Sequence, residues 1–72
     1  MDSFMHLVVN GEPKDYSDHI KTVLDLLIHL GITPKNKIVE LNGDVYNEDS
    51  FQTQQLKSGD VLEIVQFMGG GG

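Results

Sequence analysis

The chain contains no cysteine and no arginine, and none of its uninterrupted apolar runs is longer than four residues. The first absence excludes disulfide staples, thiolate metal sites and cysteine nucleophiles. Nothing in the composition calls for an oxidising compartment, so a cytoplasmic location is expected. The second absence removes the bidentate donor that phosphate recognition favours, and the five lysines face eleven carboxylates, for a formal charge of −6. That balance argues against nucleic acid as a partner and for a positively lined protein surface, with electrostatics raising the association rate more than the affinity. The short apolar runs argue against a membrane segment, and Met1-Asp2-Ser3 carries an acid where a signal peptide carries base. At 72 residues the chain holds one small domain. A chain of this size buries only roughly 60% of the surface its unfolded form exposes, which leaves a thin core and no deep substrate cleft.

What is present reads as a short series of elements. Met5-His6-Leu7-Val8-Val9 is apolar and β-branched and runs into Asn10-Gly11, the pair best suited to the positive φ angles of a tight hairpin. Pro13 weakens the start of the return strand, so Lys14-Asp15-Tyr16-Ser17 is expected as a short edge strand. The period then changes from 2 to 3.6: Val23, Leu26, Leu27 and Leu30 form one apolar helical stripe. Thr22-Val23-Leu24-Asp25 has capping-box spacing, with Asp18 as a rival start, and Gly31, Ile32 and Thr33-Pro34 end the helix. Ile38-Val39-Glu40-Leu41 reads as a strand, and Asn42-Gly43-Asp44 offers a second tight turn before Val45-Tyr46. Asn47-Glu48-Asp49-Ser50 is polar and irregular. Lys57-Ser58-Gly59-Asp60 turns the chain into its strongest strand, Val61 through Phe67.

The order strand, strand, helix, strand, strand predicts an α+β fold of the β-grasp type, one mixed sheet (ββαββ) with a single helix across one face. A right-handed crossover through the helix sets the first and last strands parallel and side by side at the sheet's centre. Leu62 and Ile64 then face the helix, while Glu63, Val65 and Phe67 face outward as a possible docking surface; otherwise Val65 and Phe67 reflect strand propensity alone.

The sequence closes on Gly69, Gly70, Gly71 and Gly72, half of all its glycines, directly after the most hydrophobic strand. Such a run has maximal backbone freedom and adds nothing to stability. Its physical use is to thread a channel too narrow for any Cβ and to deliver the α-carboxylate of Gly72 to another protein's active site. The expected division is therefore a domain over residues 1–68 and a tail over 69–72.

The ordered set Val9-Asn10-Gly11-Glu12, Thr22-Val23-Leu24-Asp25-Leu26-Leu27 ending at Leu30-Gly31, Val39-Glu40-Leu41-Asn42-Gly43, Leu56-Lys57-Ser58-Gly59-Asp60-Val61-Leu62-Glu63-Ile64-Val65 and the terminal glycines resembles the ThiS-type sulfur carriers of thiamine biosynthesis, over nearly the whole chain. Two features depart from that pattern, the longer start Met1-Asp2-Ser3-Phe4 and a run of four glycines. The resemblance implies that an E1-like adenylating enzyme (ThiF type) uses ATP and magnesium to convert the Gly72 carboxyl to an acyl adenylate. A sulfur donor fed by a cysteine desulfurase then yields a thiocarboxylate, which thiazole synthase (ThiG type) consumes. The chain itself is expected to be no enzyme and to bind no cofactor: it has no nucleophile with an evident base, no phosphate loop and no metal-ligand spacing.

His6, His19 and His29 fall on a strand, a loop and a helix, which suits surface or cap roles better than a metal site, and His29 can interact with the helix's negative end. Asp44, Glu48, Asp49, Asp60 and Glu63 form a candidate recognition set for the adenylating enzyme, or are simply solvated. The same fold and tail also suit a molybdopterin-type sulfur carrier, a ubiquitin-like modifier joined to lysine through Gly72, or a plain interaction domain with an incidental tail. A monomer is expected, since a tail that enters two enzymes in turn must stay accessible.

Overall fold

The computed structural model describes residues 3–66. Five strands and one helix occur in the order β1 (Phe4–Val9), β2 (Glu12–Ser17), α1 (Val23–His29), β3 (Lys37–Leu41), β4 (Asp44–Tyr46) and β5 (Val61–Gln66), with a single 3-10 turn at Glu48–Ser50 before β5. They form one mixed sheet of order β2-β1-β5-β3-β4, in which β1 and β5 are parallel and the other neighbours antiparallel. The last strand is thus central and beside the first, as a right-handed crossover requires.

Both tight turns follow from their Asn-Gly pairs. Asn10 and Gly11 take φ of 51° and 83°, and Asn42 and Gly43 take 51° and 93°, the double positive φ of a turn whose twist matches its flanking strands. The first turn also explains why the edge strand begins two residues earlier than Pro13 led one to expect. Val9 and Glu12 close a two-residue hairpin, so Pro13 falls opposite Val8 at a position where its nitrogen faces the open edge and no ladder donor is needed. The second turn adds a strand to the expected four, because Val45 and Tyr46 pair with Glu40 and Val39.

The helix starts at Thr22 and not at Asp18. The Thr22 hydroxyl accepts from the Asp25 N–H at 3.1 Å, and the Asp25 carboxylate accepts from the N–H of Thr22 at 3.1 Å and of Lys21 at 3.0 Å. The next donors are met from outside the helix, with the Val23 and Leu24 N–H groups reaching the carbonyls of Gln54 and Phe51 at 2.9 Å each. At the other end Gly31 (φ 73°) donates to the Ile28 carbonyl and Ile32 to that of Leu27, the two bonds of a Schellman stop.

Val23, Leu26 and Leu27 of the helix are fully buried against Leu7, Val39 and Leu62 of the sheet. The loop through residues 47–60, irregular in sequence, contributes the largest fully buried side chain, Phe51, which closes the core beside the helix start.

Candidate functional site

The strand that leads toward the glycines is held on both sides by side chains as well as by the ladder. Asn10, at the first turn, accepts from the Ile64 N–H through its side-chain oxygen at 2.7 Å, while its own N–H donates to the Leu62 carbonyl at 2.9 Å. Asn42, at the second turn, does the equivalent at the strand's start: its side-chain oxygen accepts from the Val61 N–H at 2.9 Å and its N–H donates to the Val61 carbonyl. The amide nitrogen of Asn42 in turn donates to Asp60 at 2.9 Å, and the second Asp60 oxygen accepts from the Lys57 N–H at 2.8 Å. β5 is therefore firmly anchored from Val61 to Ile64.

Those bonds correct one expectation. Asp60 is only 3% exposed and both its oxygens are engaged, so it is a structural group that shapes the turn before β5 and not part of a docking surface. Glu63 and Val65 do lie on the sheet face away from the helix, and Leu62 is buried and Ile64 half-buried on the helix side, which is the alternation expected of this strand. Phe67 and the glycines Gly69, Gly70, Gly71 and Gly72 lie outside the described residues, as does the boundary between residues 1–68 and 69–72.

The open face carries more apolar surface than β5 alone supplies. Phe4, Val45, Val61 and Val65 are all large, exposed and on this face; among the described residues the remaining exposed large apolar side chain, Ile28, is on the helix. Glu40 was not singled out in the sequence, yet the register sets it directly opposite Glu63. Its signal was available in the alternation of β3, but the opposition exists only once β3 and β5 pair.

The other titratable groups are dispersed. His6 Nδ1 and Asp15 Oδ1 are joined at 2.8 Å on the exposed β1-β2 hairpin, and the His29 ring meets Tyr16 edge-on with centroids 5.8 Å apart. The His19 N–H donates to the Ser17 hydroxyl. Asp44, Glu48 and Asp49 are exposed, on β4 and the 3-10 turn. Among the described residues no group of three or more His, Asp or Glu side chains is gathered at metal-binding distance, and no helix is long and apolar enough to cross a membrane. The N–H groups of Lys21 and then Thr22 hold the Asp25 carboxyl below its ordinary range, a capping effect remote from β5.

The chain is similar to known proteins in both sequence and fold. The chain is 34% identical over 65 residues to the sulfur carrier protein ThiS of Bacillus subtilis, covering 90% of this chain and 98% of that protein. It is 40% identical over 67 residues to a thiazole synthase of Paramagnetospirillum magneticum, where 93% of this chain corresponds to only 20% of the relative's length. The crystal structure of the thiamine biosynthesis protein ThiS from Geobacter metallireducens superposes with a TM-score of 0.78 at 38% identity, over 93% of this chain and all of that one. The ThiS family model matches residues 7–71, from the first strand into the glycine run, and with that extent of agreement the chain belongs to the ThiS family.

Proposed function

We propose that this chain is a sulfur carrier of thiamine biosynthesis whose cargo is a thiocarboxylate on Gly72. A carboxylate is a poor electrophile. In the first step a Gly72 carboxylate oxygen attacks the α-phosphorus of magnesium-bound ATP on an E1-like, ThiF-type enzyme, and pyrophosphate leaves. The resulting acyl adenylate is a mixed anhydride. Sulfur from a persulfide donor, charged by a cysteine desulfurase, attacks its carbonyl carbon and AMP leaves. The acyl disulfide so formed is cleaved by a thiol, which forms a new disulfide with the donor's sulfur and releases the thiocarboxylate that a ThiG-type thiazole synthase takes as its sulfur source. The chain performs no catalysis: it offers one carbonyl carbon, and the residues 69–71 before it carry no side chain to obstruct a narrow channel. On this reading Glu63, Val65 and Phe67 belong to the surface that partners hold, and ATP is the adenylating enzyme's substrate.

The observation that supports this reading most is the span of the family match, which runs through the fold and into the glycines. The presence of a segment like this chain within a larger thiazole synthase supports that enzyme as a partner, since a fusion keeps donor and acceptor together. Incubation with the adenylating enzyme, magnesium-ATP and a sulfur donor, followed by intact mass measurement, tests it. The expected product is heavier by the difference between sulfur and oxygen, and deletion of Gly71 and Gly72 abolishes it. Protein-sized adducts on lysine would replace the carrier reading with a modifier, and no change in mass would refute both.

A further inference from the structure

The pairing of β3 with β5 sets Glu40 directly across from Glu63, two carboxylates in register on the open face. Like charges directly opposite in a sheet destabilise it. Among the described residues no cation relieves the repulsion: the one ion pair there is His6 with Asp15, so none of the described lysines lies within salt-bridge distance of either glutamate. The surroundings are apolar. Val61 and Val65 flank Glu63 along β5, Val45 stands beside Glu40 on β4, and Ile38 stands opposite Val65. Val45, Val61 and Val65 are 65%, 49% and 50% exposed. An unrelieved acid pair ringed by exposed valines costs the free protein twice, in repulsion and in hydrated apolar surface. Both costs are removed by one kind of neighbour, an apolar protein surface with a single lysine or arginine at its centre.

The position of the pair says which surface. Six residues, Phe67 to Gly72, follow β5, and fully extended they span at most about 20 Å. Any enzyme holding the Gly72 carboxyl must lie within that reach of Gln66, where the open face is the broad apolar surface that β5 presents, and of the two enzymes in the carrier reading thiazole synthase is the one whose relatives hold a segment like this chain within their own length. We infer that Glu40 and Glu63 form a two-carboxylate clasp for one cationic side chain of thiazole synthase, with Val45, Val61, Val65 and Ile38 as the apolar seat around it. This rests on the carrier reading above and adds the recognition chemistry. When the face is covered the cation sits between two carboxylates away from water, where charge-assisted hydrogen bonds are strongest.

Calorimetric titration of the intact chain into the thiazole synthase of the same organism tests the clasp without any sulfur transfer. In E40Q/E63Q affinity is expected to fall by roughly ten-fold or more, and the binding to lose most of its dependence on salt. The same variant is expected to melt at or above the wild-type temperature, because the repulsion is gone. Equal affinity of the two forms, or no binding of the wild type, overturns the clasp. So does a loss of binding accompanied by a lower melting temperature, which assigns the pair a structural role. Thiocarboxylate formation on the wild type, followed by mass in parallel, reports on the carrier reading separately: a chain that loads but binds equally well without the two charges refutes the clasp alone.

Discussion

The side-chain oxygen of Asn10 accepts a 2.7 Å hydrogen bond from the backbone N–H of Ile64, 54 residues away in sequence. It lies where β1 has ended in its turn, since the parallel pairing of β1 with β5 runs only from Val8 and Val61 to Val9 and Leu62. One side chain thus continues the ladder for a strand that has lost its neighbour, and it does so from a residue whose positive φ the hairpin already requires. Replacing Asn10 by glycine keeps the turn and removes only the acceptor. Stability is expected to fall by about 1 kcal/mol, and the Ile64 amide is expected to exchange faster in hydrogen-exchange NMR while the β1-β2 hairpin amides are unchanged.

Asp60 is the corresponding anchor at the start of β5. Asp60→Ala removes the acceptor of the Asn42 amide and the Lys57 N–H at a part-buried turn, so a loss of about 1–2 kcal/mol is expected in urea unfolding. Loading of Gly72 at saturating adenylating enzyme is expected to survive at a temperature where the variant is folded. A loss of loading with unchanged stability would return Asp60 to the recognition surface.

Asp25 links stability to acid. Its carboxyl titrates below the ordinary range because the Lys21 and Thr22 N–H groups donate to it in the folded chain. That contribution is complete above roughly pH 4, where the same group in the unfolded chain is also ionised, and is lost as pH falls through the lower folded value. The melting temperature of D25N is therefore expected to lie below that of the wild type at neutral pH, and the gap to close as pH is lowered from about 5 to about 2. A gap that stays constant across that range would show that the carboxylate charge is not what the cap uses.

Phe51 is 1% exposed at the end of the 3-10 turn, and its carbonyl accepts from the Leu24 N–H at the helix start. Phe51→Ala removes a large core side chain and is expected to cost about 3–5 kcal/mol, a large share of the stability of a domain this small. Leu62→Ala, under the helix, is expected to cost about 2–5 kcal/mol. Thermal melts of the two variants beside N10G rank the three contributions directly.

Local chemistry was legible in the residues alone. Asn10-Gly11 and Asn42-Gly43 specify their turns because few other pairs accept two positive φ angles, Thr22 and Asp25 specify the helix start because their side chains reach only their own backbone, and Gly31 stops the helix for the same conformational reason. The alternation of β5 and the helical stripe were enough for the sheet, its central strand and the helix-facing residues Leu62 and Ile64. What escaped were consequences of distance. Asp60 reads as a solvated loop acid until Asn42, 18 residues away, arrives to bond it. Phe51 stands in a polar, aperiodic stretch that gives no hint of burial until the loop folds over the helix start. Val45-Tyr46 is too short to declare itself a strand without β3 beside it. Glu40 and Glu63 are ordinary exposed residues of two amphipathic strands, and only the register of β3 on β5 makes them opposites. Turns, caps and periodicity are properties of a few consecutive residues, so the sequence by itself determined them; burial, cross-strand opposition and long-range bonds belong to pairs brought together by chain closure, which only the tertiary structure decided.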